Sequence, residues 1–221
     1  MNRRIPLIIF GLVGTAILIS LGVWQFQRMT WKNNILAEID ARLAQAPVAL
    51  PATLNPVADK YLQVEVTGMI AEGELHVLTF GDSGPGFRVI APMVLEDGRR
   101  ILVDRGFVPE TEKITQRSGG AVTAMGSLVW PQETDSFIPD PNLEKNIWFA
   151  RDVELMAQVL KTDQVMLAIS RSTNNDGITP QLVSVNISNK HLEYVMTWFS
   201  LAAIWIGMTG YALSRIKPKA S

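Results

Sequence analysis

Two uncharged runs, one near each end, constrain this chain more than anything else in it. Ile5–Val23 and Val195–Leu213 are each 19 residues long without Asp, Glu, Lys or Arg. A helix of that length rises about 28 Å, close to the ~30 Å hydrocarbon core of a bilayer. Helices of soluble cores are rarely apolar on every face for so long. The runs therefore predict two transmembrane helices. They also explain why mean hydropathy is +0.17 in a chain of which 19% is charged.

The flanks suggest an orientation. Arg3 and Arg4 precede the first run, and Arg215, Lys217 and Lys219 follow the second. Positive flanks stay cytoplasmic. Arg28, Lys32 and Lys190 on the opposite flanks work against this, but the C-terminal cluster is the stronger anchor. The first run exceeds the about 7–15 residues of a signal-peptide core and leads into Leu21-Gly22-Val23-Trp24-Gln25 without a small-x-small cleavage site. Nor is the start an Arg- and Ser-rich transit peptide. The expectation is a bacterial inner-membrane protein with both termini cytoplasmic: tail 1–4, span 5–23, periplasmic domain with juxtamembrane segments 24–194, span 195–213, tail 214–221. Gly11-x-x-x-Thr15 and Ala203-x-x-x-Gly207 are small-residue pairs that would let the two helices approach closely.

Between the runs the pattern changes. Ile35, Leu36, Ile39, Leu43 and Ala46 recur at helical spacing and predict an amphipathic helix over 33–48, stopped by Pro47 and Pro51. Strands follow at 62–66, 76–80, 87–95, 101–108, 122–130 and 165–170, with Gly81–Gly86 as a loop and Asp97-Gly98 as a hairpin turn. A helix is predicted over 153–160, with Asp152 as N-cap and Glu154 in its first turn. Residues 131–146 form a polar loop with three prolines. The fold class is a membrane protein whose two transmembrane helices flank an external α+β domain, mainly antiparallel and curled or barrel-like.

The residue inventory excludes much chemistry. With no cysteine there are no disulfides, thiolate metal sites or thiol catalysis. Two histidines, His76 and His191, cannot build a multi-histidine metal centre. Net charge of −1 gives no basic footprint for nucleic acid. No nucleophile elbow, Walker loop or His-Glu-x-x-His is present; an unfamiliar hydrolase stays open, with nothing in the motifs to favour it. His76, in a strand, reads as a partly exposed structural histidine. Asp104 and Arg105, adjacent in another strand, point to opposite faces and read as structural rather than as a catalytic pair.

His191 is the more informative histidine. It stands just before the second run, with Tyr194, Trp198 and Trp205 three, seven and fourteen residues on. Two readings fit: an interfacial histidine beside an aromatic belt, or a haem-iron ligand with the flat ring against Trp198. Trp24, Arg28 and Lys32 recur every four residues beyond the first run; the cations could meet lipid phosphates or haem propionates.

An ordered set of segments resembles the Surfeit-locus protein family of cytochrome c oxidase assembly factors. These are Leu21–Gln25 with Arg28 and Lys32; Gly84–Pro92; Ile101–Pro109; Trp148-Phe149 with Asp152; and His191–Tyr194 with Thr197–Phe199. The strand motif reads Asp104-Arg105-Gly106-Phe107 where the family usually has Asn-Arg-Gly-Trp, and nothing carries over at 111–124. The resemblance implies a non-enzymatic factor that holds haem a near the outer membrane surface and assists its insertion into the catalytic subunit of a haem–copper oxidase. His191 would be the haem-iron ligand, with Tyr194, Trp198, Trp24 and Arg28 around the cargo. Partners would be the oxidase subunit or an assembly intermediate, a haem a biosynthesis enzyme and membrane lipid. The same resemblance is open to a scaffold that stabilises an oxidase intermediate without binding haem.

Overall fold

A computed structural model of the chain describes residues 4–117, 119–174, 176–183 and 190–216. Arg3, Asn189, Lys217 and Lys219 therefore lie outside the described residues. In chain order the elements are α1 (Arg4–Leu43), β1 (Val48–Ala49), β2 (Gln63–Ile70), β3 (Leu75–Gly81), β4 (Gly84–Leu95), β5 (Arg100–Pro109), β6 (Gly120–Val129), α2 (Val153–Leu160), β7 (Met166–Ser172) and α3 (His191–Arg215). A 3-10 turn, Glu110–Glu112, follows β5. The chain divides into two compact units, Met1–Glu38 with Val185–Ser221, and Ile39–Ser184.

The second unit is built on a barrel. The sheet runs β1-β2-β6-β7-β5-β4-β3, and β2 also pairs with β4, so β2, β6, β7, β5 and β4 close on themselves. Closure occurs where Gly68, Met69 and Ile70 meet Leu95, Val94 and Met93. A Cβ on Gly68 would stand 2.3 Å from the Val94 carbonyl oxygen, so the seam needs glycine. Alternation along β2 turns Val64, Val66 and Ile70 inward, where Met93, Val103, Leu128 and Leu167 join them. A second apolar layer covers part of the outside: Leu102, Met166 and Ile90 pack against Trp148, Val153 and Met156. Strand β5 is buried along both faces for this reason, including the charged pair Asp104 and Arg105 at its centre.

Helix α2 occupies the span expected for it. Asp152 accepts a hydrogen bond from the Leu155 N–H at 3.0 Å, and Lys161 ends the helix in the left-handed region at φ 54°. Its buried face is Val153, Met156 and Ala157, at helical spacing.

Two expectations change. The helix expected over 33–48 is the end of the continuous α1 and stops at Leu43, because Val48 and Ala49 pair in parallel with Val64 and Glu65. The loop expected at Gly81–Gly86 is mostly paired strand, and only Asp82 and Ser83 turn the chain. Two of its glycines serve packing, since a Cβ on Gly81 would lie 2.8 Å from the Phe107 ring and one on Gly86 2.6 Å from it, while Gly84 supplies the positive φ of 109° beside the turn. The sheet is mainly antiparallel, as expected, with β1 parallel to β2 and with β7 entering between β6 and β5, antiparallel to the first and parallel to the second. Adjacent hairpins in the sequence announce only antiparallel neighbours; β7 is placed by a crossover through α2.

Asp152→Ala removes the cap of α2 without touching the barrel. It should lower unfolding free energy by about 1 kcal/mol, with Asp152→Ser recovering most of it, by chemical denaturation of the detergent-solubilised chain.

Candidate functional site

In the first unit α1 and α3 lie antiparallel. At one end the Arg4 guanidinium donates to the Ile216 carbonyl at 2.7 Å; at the other His191 Nδ1 meets Gln25 Oε1 at 2.7 Å. Between them the backbones are close because three positions lack a side chain. A Cβ on Gly11 would stand 2.3 Å from Thr209 Cγ2, one on Gly14 2.4 Å from Trp205 Nε1, and one on Gly22 3.0 Å from the Phe199 ring. Such contacts between small residues are how apolar helices associate when no hydrophobic force separates helix from surroundings. The Trp205 indole lies along this strip and donates to the Gly11 carbonyl at 3.1 Å. Of the two small-residue pairs expected here, Gly11 belongs to the contact, while the Thr15 hydroxyl donates back to the Gly11 carbonyl within α1. Ala203 is exposed and Gly207 has no neighbour within 4 Å; Ala202, 3% exposed, takes their place.

The same stripe sorts the candidate residues. On α3 it carries His191, Val195, Trp198, Ala202 and Trp205. Trp198 has a buried indole N–H with no partner among the described residues. Tyr194 falls off the stripe and is 52% exposed. On α1 the stripe carries Gly11, Gly14, Gly22 and Gln25, whereas Trp24 is 55% exposed. The Arg28 guanidinium sits 4.1 Å over the Trp31 ring. The structure thus brings His191 to Gln25, with Trp198 two turns along the same face, and leaves Trp24 and Tyr194 on outward faces. Desolvation, with the nearby charges of Lys32 and Arg28, holds the His191 ring below its ordinary pKa. Gln25 was not singled out from the sequence as a site residue. The signal was its spacing, three residues after Gly22 on the glycine stripe.

The second unit holds two buried ion networks that the sequence did not announce. Asp104, 2% exposed, accepts from Arg88 at 2.5 Å and from Arg151 at 3.3 Å, and its other oxygen accepts from the Gly106 N–H. Burial pushes its carboxyl up against the pull of both guanidiniums. Arg151 also grips Glu133, and Arg88 reaches Gln181. Arg105, 6% exposed, points to the other face and pairs with Glu74 at 2.9 Å and with Asp176. Glu74 in addition takes Arg117 at 3.0 Å and His76 at 3.4 Å. His76, read as partly exposed, is buried at 8% because Asn146 and the Phe87 ring close over it. Neither network sets a nucleophile against a base. Each ties a loop to the barrel, through Glu133, Asp176 and Gln181.

Comparison with known proteins agrees with this layout. The family model described as the SURF1 family matches residues 12–203. The chain belongs to the SURF1 family. It is 32% identical to Surfeit locus protein 1 of Homo sapiens, over 83% of this chain and 70% of that protein. It is 31% identical to a SURF1-like protein of Monosiga brevicollis, over 92% of this chain and 83% of the other. The SURF1-family match encloses the whole barrel and both Gln25 and His191. Residues 111–124, to which the resemblance assigned nothing, contribute Arg117 to the Glu74 network.

Glu74 gives the network a pH signature. Burial pushes its carboxyl up, but the His76 hydrogen bond and the Arg117 and Arg105 charges outweigh that and hold it below its ordinary 4.5. A depressed carboxylate stabilises the fold above its unfolded value and loses that contribution as pH falls through the folded one. Glu74→Gln should therefore destabilise the unit at pH 7, and the gap from wild type should narrow steadily below about pH 4.5 in denaturant melts. A gap that does not change with pH would assign the effect to packing.

Proposed function

We propose that this SURF1-family protein is a membrane-embedded assembly factor for a haem–copper oxidase, and that it holds haem a as cargo at the His191 end of its helix pair. The observation that carries the reading is the His191 environment. Its Nδ1 is engaged by Gln25, and Nε2 meets no partner among the described residues. A neutral imidazole with one open nitrogen is an iron ligand of the ordinary kind. The remaining groups fit the cargo. The orphaned Trp198 N–H offers a donor on the same face, and Arg28 and Lys32 bring positive charge to an end where propionates would lie. Haem a is a substrate here, to be received and passed to the catalytic subunit, and the role is not enzymatic.

The membrane setting rests on the helices. Both are long and apolar enough to cross a bilayer, and only 11% and 6% of their most apolar windows are buried by protein. In water such faces would be a large unprotected patch; lipid covers them without cost. The antiparallel pair puts Arg4 and Arg215 at one end and Gln25, Arg28 and Lys32 at the other. Positive-inside weighting makes the Arg4 end cytoplasmic and the barrel periplasmic, in a bacterial inner membrane. A phosphatase fused after Ser221 should be inactive, and one inserted in the 131–146 loop active. The opposite pattern would invert the topology.

The cargo reading is tested by an optical spectrum of detergent-purified protein, expressed with haem a biosynthesis active, beside His191→Ala. The wild type should carry a haem a Soret band that disappears or shifts in the variant while membrane insertion is unchanged. Absence of haem from both would favour a scaffold that holds an oxidase intermediate directly.

A further inference from the structure

Gln25 is not a passive neighbour of His191. The amide oxygen stands 2.7 Å from Nδ1. A neutral imidazole carries its proton on one nitrogen and a lone pair on the other. A carbonyl oxygen has no hydrogen to give, so this contact requires the proton on Nδ1. We propose that Gln25 locks His191 as the Nδ1–H tautomer and aims the bare Nε2 lone pair away from α1, making Gln25 the positioning residue for whatever electrophile His191 ligates. As applied to haem iron, the inference rests on the cargo reading above.

The bond is positioned by the helix contact. Gln25 is three residues from Gly22, on the stripe that faces α3, and Gly22 lets that stripe approach the Phe199 ring. The amide is thus presented to the first residue of α3. No second described group competes for Nδ1. Residues that orient a ligating histidine by accepting its other N–H typically change metal affinity by about 10–100-fold when removed.

The test uses the full chain in detergent, with two readouts. The chain has two histidines, His76 and His191, so 15N-histidine labelling gives two ring systems, assigned by His191→Ala. In protein made without haem a biosynthesis, long-range 15N–1H correlation should show His191 with a protonated Nδ1 and a bare Nε2. Gln25→Leu, which cannot accept, should lose that preference. Gln25→Glu, which can only accept, should keep it. The His76 signals, in the other unit, report that the barrel is intact in each variant. In protein made with haem a, Gln25→Leu should carry at least about tenfold less haem a per chain, and Gln25→Glu at least as much as wild type.

A wild-type Nε2–H tautomer would overturn the proposal, since the amide would then be donating through its nitrogen. So would a tautomer that Gln25→Leu leaves unchanged. If Gln25→Leu does not accumulate, Gln25→Glu decides alone: a tautomer that switches between wild type and the carboxylate variant excludes the oxygen contact. An Nδ1–H wild type that purifies without haem a would leave the Gln25 assignment standing and remove the cargo reading. Haem a content that survives loss of the tautomer would remove Gln25 from the ligand site.

Discussion

The distance between two helix backbones governs the end of the molecule where chemistry is available. Gly11, Gly14 and Gly22 leave room on α1 for Thr209, Trp205 and Phe199 of α3. Helices are stiff, so a wedge at any of these positions would be felt along the pair. The hydrogen bond between Gln25 and His191 tolerates little of it; at 2.7 Å it is at the short end of the normal range, and a displacement of about 1 Å would remove it. Both partners sit on helices rather than loops, which fixes a ligand more tightly than a loop would. The glycines that make the contact therefore also set the direction in which the imidazole can bind.

The second unit solves a different problem. A closed barrel leaves few free strand edges, and the seam at Gly68 is where β2 and β4 come close enough to close it. Its buried charges are expensive, because desolvation offsets most of the attraction within each pair. What they supply is registration. Asp104 and Arg105 are consecutive, point to opposite faces, and hold different partners: Arg88 and Arg151 for one, Glu74 and Asp176 for the other. One dipeptide of β5 thus anchors segments from both sides of the sheet. Gly106 follows at φ 121°, where a Cβ would strike the Thr179 carbonyl at 2.1 Å, and this lets the 177–180 segment lie flat against the strand.

Much of this was legible in the sequence, and what was not has a common cause. Local patterns located α2 to the residue, because its cap, first-turn acid and apolar face are all written within ten positions. Strand alternation placed β2 to β7 within a few residues, and the curled sheet followed from successive hairpins. Longer-range facts were hidden. The insertion of β7 between β5 and β6 depends on a crossover, and the salt-bridge partners Glu74, Arg117, Asp104 and Arg151 are separated by tens of residues. At the helix pair the sequence pointed to His191 and to the aromatic residues beside it. It could not show which face of α1 would meet them. The glycines decide that, and they select Gln25 over Trp24.

An amide suits the place where a carboxylate would be the more familiar partner of a ligating histidine. A carboxylate accepting the Nδ1 proton makes the imidazole a stronger donor and tightens the metal bond. It also adds a negative charge beside Lys32 and Arg28, which would offset their effect on the ring and favour its protonated form. Gln25 orients the ring with neither effect. Under the cargo reading this is a useful compromise. A factor that must release haem gains from a ligand whose direction is fixed and whose basicity is not enhanced.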